Sequence, residues 1–137
     1  MTIVDTSVWI DFLNKRRTSQ TVWLRGGHNN EPIGLTTLVL TEALQGIRLE
    51  SKFELALTHF RSMAVFNAVS PELAILSAQH FRTLRSRGIT VRSTIDCLLA
   101  TFCIVNGYGL LHNDRDFDAF ERHLGLEVIH PPPIPLN

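Results

Sequence analysis

The chain has 137 residues, of which 45% are hydrophobic and 19% are charged. That length and composition predict one globular domain and exclude a low-complexity or fibrous protein. Lys and Arg total 13, as do Asp and Glu, so the formal net charge is zero. The overall charge therefore gives no indication of a protein that binds nucleic acid.

Cysteine use and hydropathy indicate the cellular compartment. Cys97 and Cys103 fall in one predicted helix on different faces, so we expect two reduced, buried thiols of a cytoplasmic protein. The chain opens directly on a strand-like segment, Thr2 to Val4, and not on a charged and then apolar leader. No apolar stretch approaches the length of a membrane span, so we expect no membrane association.

Apolar periodicity and capping residues predict short strands that alternate with helices. The predicted strands, in chain order, are 3–4, 32–35, 64–66, 108–112 and 126–129. The predicted helices are one that begins at Thr6 or Ser7, then 19–25, Thr36 or Thr37 to about Gly46, 51–62, 70–87, 93–106 and 113–123.

This alternation predicts an α/β fold, a sandwich in which helices flank a central, mostly parallel sheet of four to five short strands. We expect a single domain over residues 1–130. Residues 131–137 contain four prolines and are expected to form a Pro-rich tail outside any helix or sheet interior.

Acidic residues follow two of the predicted strands. Asp5 ends the first strand, and Asp114 and Asp116 follow a later one. In open α/β sheets, ligands bind beyond the carboxyl ends of the strands. The alternative for Asp5 is a helix cap, but Thr6 and Ser7 offer caps of their own and favour a functional Asp5. Asp114 also has a capping alternative, so the choice between Asp114 and Asp116 stays open.

Two further acids fall within predicted helices. Glu42 lies on a mostly apolar helix, which leaves a functional role and a solvent-exposed role equally open. Asp96 lies three residues after Ser93, a spacing typical of a helix start. The residues that follow Asp96 are apolar nearly all round, which predicts a buried helix with Asp96 at its mouth. A functional Asp96 is therefore favoured.

Converging carboxylates repel one another unless a cation intervenes, and hard oxygen ligands suit Mg²⁺ or Mn²⁺. The sequence lacks the Cys and His spacing of a zinc site. Among the scattered histidines only His112 is near the predicted site, and there we expect it to close a strand rather than bind metal.

Four segments resemble PIN-domain proteins in order and spacing and, more narrowly, the VapC ribonuclease toxins of type II toxin–antitoxin pairs. The resemblance spans nearly the whole chain. The segments are Val4–Asp11, Thr41–Glu42, Val91–Cys97 and His112–Phe117.

The resemblance implies a PIN-like three-layer sandwich and an endoribonuclease that uses one or two Mg²⁺ or Mn²⁺ ions. Thr6 or Ser7 would supply a hydroxyl that assists the metal-bound water. The positions that match the family's metal-site acids are Asp5, Glu42, Asp96 and Asp114, with Asp116 in the same motif.

The resemblance also implies partners: an RNA substrate, a second copy of the chain, and a VapB-type antitoxin through which the complex would contact promoter DNA. Arg92 and Arg115 flank acids of the site and are expected to contact the RNA backbone; a surface salt bridge with a neighbouring carboxylate is the equal alternative.

Other classes fit less well. A receiver-type signalling domain also gathers acids around Mg²⁺, but it needs a late lysine, and the lysines here are Lys15 and Lys52. A phosphatase with an aspartyl nucleophile needs a second acid at position 7, which is serine. A catalytically silent binding partner gains nothing from clustered buried charge.

Overall fold

The structure is a computed structural model that describes residues 1–27 and 30–135. The described residues contain five strands and seven α-helices. The strands are β1 (Thr2–Val4), β2 (Ile33–Thr36), β3 (Ala64–Phe66), β4 (Gly109–Leu111) and β5 (Glu127–Val128). The helices are α1 (Thr6–Leu13), α2 (Ser19–Val22), α3 (Thr37–Gln45), α4 (Glu50–Arg61), α5 (Pro71–Ser86), α6 (Thr94–Asn106) and α7 (Asp118–Leu124).

The strands form one sheet in the order β3-β2-β1-β4-β5. Every neighbouring pair is parallel, which confirms the predicted α/β fold. The chain runs outward from β1 through β2 to β3, and then returns to build β4 and β5 on the other side of β1. The strand order therefore reverses between β1 and β4, and such a switch point leaves a crevice at the carboxyl ends of these two strands.

The core lies around the central strands. All residues of β1 and β4 are buried, as expected of parallel strands that are covered on both faces. Helix α6 buries six of its residues, which confirms the prediction of a helix that is apolar nearly all round. Four aromatic residues are the largest fully buried side chains: Trp9, Phe60, Phe117 and Phe120.

Two predicted helices differ from the structure. The helix predicted over 19–25 is α2, which ends at Val22 and widens into a π-helical turn, Trp23–Gly27. Gly26 and Gly27 explain the change, because glycine is a poor helix former and relaxes the end of the helix. The helix predicted over 113–123 begins as a 3₁₀ turn, Arg115–Phe117, and becomes α-helical only at Asp118.

The strands after β3 are shorter than predicted. β4 ends at Leu111 because the backbone beyond it pairs with side chains, and β5 has only two residues. Residues 131–135 of the proline-rich tail form neither helix nor strand, whereas 136 and 137 lie outside the described residues. Both cysteines are buried and free, as predicted. No helix in the described ranges is both long and apolar enough to cross a membrane.

Candidate active site

Asp5 lies directly after β1 and caps helix α1. Its Oδ2 accepts hydrogen bonds from the Ser7 backbone N–H at 3.0 Å and from the Ser7 hydroxyl at 2.6 Å. The prediction that Thr6 or Ser7 would supply the cap was wrong, because both residues lie inside the helix and the last extended residue is Asp5. The cap occupies one carboxylate oxygen, so capping and a functional role coexist in Asp5.

Ser7 joins the ends of the two central strands. Its hydroxyl donates to Asp5 and accepts the backbone N–H of Asn113 at 3.0 Å. Asn113 follows β4, so the hydroxyl spans the switch point between β1 and β4. Both hydrogen-bonding roles of this hydroxyl are filled from within the chain, which makes Ser7 a positioning residue for Asp5.

Glu42 reaches the same crevice from α3. The Thr6 hydroxyl donates to Glu42 Oε1 at 2.9 Å, and both side chains are partly buried. This contact decides the alternative that the helix alone left open, because Glu42 is turned toward α1 and the acids rather than toward open solvent. The Thr6 proton is directed at a carboxylate, so Thr6 also positions an acid.

Asp96, Asp114 and Asp116 form the centre of the site. One carboxylate oxygen of each lies within 4.8 Å of the others. Asp96 is in the first turn of α6, where its backbone N–H donates to Ser93 Oγ at 3.2 Å. Asp114 Oδ1 accepts the backbone N–H of Asp116 at 2.9 Å and caps the 3₁₀ turn. Both candidates for the fourth acid therefore lie beside Asp96.

The five acids share one electrostatic environment. Burial, followed by the charges of Asp5, Asp114, Glu42 and Asp116, raises the pKa of Asp96 to about 7. Burial also raises the pKa of Asp5, against the lowering effect of its hydrogen bonds from Ser7. Within residues 1–27 and 30–135, no Lys or Arg side chain forms an ion pair with any of the five. The repulsion is thus left for an external cation to relieve.

His112 supports the loop that carries two of these acids. It is only 9% exposed, and its Nδ1 accepts the backbone N–H of Asp114 at 3.1 Å. An accepting Nδ1 fixes the neutral tautomer with the proton on Nε2. Burial lowers the pKa of His112, which agrees with a neutral ring. From the sequence alone, His112 was expected only to close a strand. Its position two residues before Asp114 was the available signal of this supporting role.

The two predicted RNA-contacting arginines are both exposed, Arg92 four residues before Asp96 and Arg115 between Asp114 and Asp116. Arg92 precedes α6, and Arg115 opens the 3₁₀ turn. The alternative of a surface salt bridge is not observed for either guanidinium in the described part of the chain. Asp11 lies outside the cluster and forms an ion pair with Arg16 at 3.5 Å.

The donor set fits a hard divalent cation. Three carboxylates converge without a neutralising side chain, and Mg²⁺ and Mn²⁺ prefer carboxylate oxygens with water or phosphate completing the shell. No thiol or imidazole belongs to this group of acids, so its chemistry does not favour zinc. Asp96, Asp114 and Asp116 are the residues that could hold the ion, with Asp5 and Glu42 beside them.

Comparison with known proteins identifies a family and relatives of similar length. The PIN domain family model matches residues 2–122. The VapC ribonuclease Mb1587 of Mycobacterium bovis is 29% identical over 133 residues, covering 93% of this chain and 97% of that protein. Ribonuclease VapC1 of Methanocaldococcus jannaschii is 31% identical over 127 residues, covering 92% of this chain and 85% of that protein.

Solved structures share the fold. FitAcB from Neisseria gonorrhoeae matches with a TM-score of 0.76 at 16% identity, over 96% of this chain and 98% of that chain. VapBC2 from Rickettsia felis, bound to a DNA fragment from its promoter, matches with a TM-score of 0.72 at 20% identity, over 93% and 96% of the two chains. The fold, the order of the acidic segments and the family match lead to one conclusion: this chain belongs to the PIN-domain family, among the VapC ribonucleases.

Proposed function

We propose that this chain is the toxin of a type II toxin–antitoxin pair and an endoribonuclease that depends on Mg²⁺ or Mn²⁺. The observation that carries the proposal is the convergence of Asp96, Asp114 and Asp116 at the switch point of the sheet, in a chain of the VapC family. Family membership supports RNA as the substrate, and the carboxylates support phosphodiester hydrolysis with a divalent ion.

In this mechanism all five acids form the pocket for the metal ion. Asp96, Asp114 and Asp116 would hold one or two ions, and Asp5 and Glu42 would complete the acidic pocket. A bound divalent ion supplies neutralisation of phosphate charge and activation of the attacking water. Burial and the neighbouring acids raise the pKa of the Asp96 carboxyl to about 7, so this carboxyl would have to lose its proton before it could hold the ion.

Two hydroxyls keep the pocket in shape during turnover. Ser7 holds Asp5 against the chain that follows β4, and Thr6 holds Glu42. The resemblance implied instead that one of these hydroxyls assists the attacking water. The positioning role is proposed in its place because both hydroxyl protons are already donated to carboxylates. Fixed carboxylates lose little freedom on binding the ion and substrate, which favours reaction.

Arg92 and Arg115 are proposed to bind the RNA backbone. Both guanidiniums are exposed and free of ion pairs among the described residues, so neither has to leave a carboxylate before it binds phosphate. They also offset the negative field of the acid cluster, which would otherwise repel the substrate.

The proposed partners follow from the family. Structures that share the fold contain VapBC complexes, one of them bound to promoter DNA. We therefore propose that a VapB-type antitoxin binds and inhibits this chain, that the chain forms a homodimer, and that DNA is contacted through the antitoxin.

The proposed activity is tested with purified, antitoxin-free protein and structured RNA in Mg²⁺, in Mn²⁺ and in EDTA. Cleavage is expected in both metals, and EDTA, Asp5→Ala and Asp96→Ala are each expected to abolish it. Asp11→Ala is the matched control, because Asp11 is an acid of α1 outside the cluster and should leave cleavage unchanged. Cleavage that survives both the chelator and the two cluster substitutions would contradict the metal-dependent mechanism.

The toxin role is tested separately in cells. Induced expression of the intact chain is expected to stop growth, expression of Asp96→Ala is not, and co-expression of the product of the adjacent small reading frame is expected to restore growth. Normal growth with full-length, soluble, nuclease-active protein would contradict the toxin role while leaving the nuclease activity standing.

A further inference from the structure

A cavity of about 570 Å³ opens beside the acid cluster, on the β5 side of the sheet. Three separate parts of the chain form its walls: α2, the segment between β4 and α7, and the residues around the end of β5. Asp114 belongs both to this cavity and to the acid cluster. The cavity and the acid cluster therefore adjoin at Asp114.

The cavity offers one apolar side. Val128 and Ile129 are partly buried hydrophobic residues in its wall. His130 lies next to them, and its Nε2 is 2.7 Å from Glu121 Oε2, which holds the imidazole at the rim. Apolar side chains and an imidazole face are surfaces on which an unpaired nucleobase stacks.

The polar groups of the cavity match the edge of a base. The Asn113 side-chain amide is exposed and forms no hydrogen bond within the described residues. The Gln20 side chain accepts from Ser19 Oγ at 3.2 Å, and its NH₂ group has no acceptor in that part of the chain. Each amide combines a donor and an acceptor, the combination that pairs with the edge of an unstacked base.

An unpaired donor lies behind the same wall. His112 is 9% exposed, and its Nε2 is buried without a hydrogen-bond partner among the residues described. Because Nδ1 accepts from Asp114, Nε2 carries the proton and lacks an acceptor. Buried polar groups are nearly always paired in proteins, so His112 Nε2 is an exception, but its burial keeps it out of reach of a ligand in the open cavity.

Charge excludes a simple anion site. The lining of the cavity includes the two acids Asp114 and Asp118 and one arginine, Arg115. Two carboxylates repel a free phosphate, whereas a neutral base with donors and acceptors carries no such penalty. Arg115 remains available for the phosphate attached to that nucleotide.

We propose that this cavity binds a single unpaired nucleobase, that of a nucleotide flanking the bond cleaved at the acid cluster, and thereby sets the sequence preference of cleavage. The inference rests on the proposed ribonuclease function and adds to it the place where the RNA sequence is read.

The test compares wild-type protein with Gln20→Ala/His130→Ala on a library of single-stranded RNAs that is randomised around the cleaved bond. The wild type is expected to prefer particular bases at one flanking position. In the double variant the ratio of kcat/KM between favoured and disfavoured bases at that position is expected to fall about tenfold. Gln79→Ala, an exposed glutamine on α5 away from the cavity, is the matched control and should keep the full preference.

A second arm replaces the base at the preferred position by an abasic site. The wild type should lose about tenfold in kcat/KM on the abasic RNA, and the double variant should not distinguish the two RNAs. A thermal melt checks that the double variant is folded.

The outcomes distinguish failure of the proposed ribonuclease function from failure of the proposed base-binding cavity. Absence of cleavage by the wild type in both metals would refute the proposed function and this inference together. Cleavage with the same base preference in the double variant would refute this inference alone. An unchanged preference with weakened inhibition by the antitoxin would also overturn it, and would assign the cavity to the protein partner.

Discussion

Replacement of Asp96 by Asn is expected to stabilise the metal-free protein at pH 8 while abolishing cleavage. Burial and four neighbouring acids raise the pKa of Asp96 to about 7, from an ordinary value of 3.8. The folded protein therefore binds this proton more tightly than the unfolded chain does. Between about pH 4 and pH 7 the Asp96 carboxyl is ionised in the unfolded chain but keeps its proton in the folded protein. The free energy of unfolding therefore falls as pH rises through this window, and the whole loss is present above pH 7.

The magnitude follows from the size of the shift. Roughly three pKa units at 1.36 kcal/mol each give about 4 kcal/mol as an upper bound. Asp96 is only partly buried, so solvent screening makes the stabilisation smaller than this bound. The substitution also removes the attraction between the negative charge and the start of α6, which cancels up to about 1 kcal/mol of the gain. We expect a net gain of about 2 kcal/mol for Asp96→Asn at pH 8, or about 5–10 °C in Tm.

The assay is urea denaturation in EDTA at pH 4.5 and pH 8, followed by the same measurements in Mg²⁺. At pH 4.5 the stability difference between the wild type and Asp96→Asn should be much smaller than at pH 8. The folded wild type still keeps its proton there, and most of the loss builds up as pH rises further toward 7. Added Mg²⁺ should stabilise the wild type at pH 8 and have little effect on the variant. Asp11→Asn controls for loss of an acid outside the cluster. If Asp96→Asn gives no stability gain at pH 8 relative to pH 4.5, the repulsion argument is refuted.

Three further predictions concern positioning and packing. His112→Asn keeps an acceptor near the Nδ1 position and should retain Mn²⁺ affinity by calorimetry, whereas His112→Leu should lower it about tenfold; equal losses would contradict the positioning role. Ser7→Ala removes the hydroxyl that links the ends of the two central strands. It should lower kcat more than it raises KM, and it should lower the free energy of unfolding by about 1–2 kcal/mol. Unchanged kinetics together with an unchanged free energy of unfolding would count against the link. Gly34→Ala places a Cβ 2.8 Å from the Phe66 ring and should cost about 1–3 kcal/mol in urea denaturation, while Gly26→Ala, with no atom within 4 Å, should cost little; similar midpoints for the two variants would show that the sheet yields.

Local patterns in the sequence predicted the architecture because they act over a few residues. Ser70 followed by Pro71 starts α5, and Ser93 caps α6, as their side chains and positions predict. The continuous apolar run after Asp96 predicted a buried helix. The same local logic failed at Asp5, since capping depends on which residue is the last extended one, and the pattern could not distinguish Asp5 from Thr6 or Ser7.

The sequence by itself determined the alternation of strands and helices, the acids at the strand ends and the family to which their order belongs. Only the tertiary structure decided how the acids meet. The Thr6 to Glu42 hydrogen bond joins residues 36 positions apart, and the Ser7 to Asn113 bond joins residues 106 positions apart. No periodicity or capping rule extends over such separations. The first pair forms only when α1 and α3 pack together, and the second only when β1 and β4 are neighbours in the sheet. The raised pKa of Asp96 has the same origin, since it is a property of the assembled pocket and not of any segment alone.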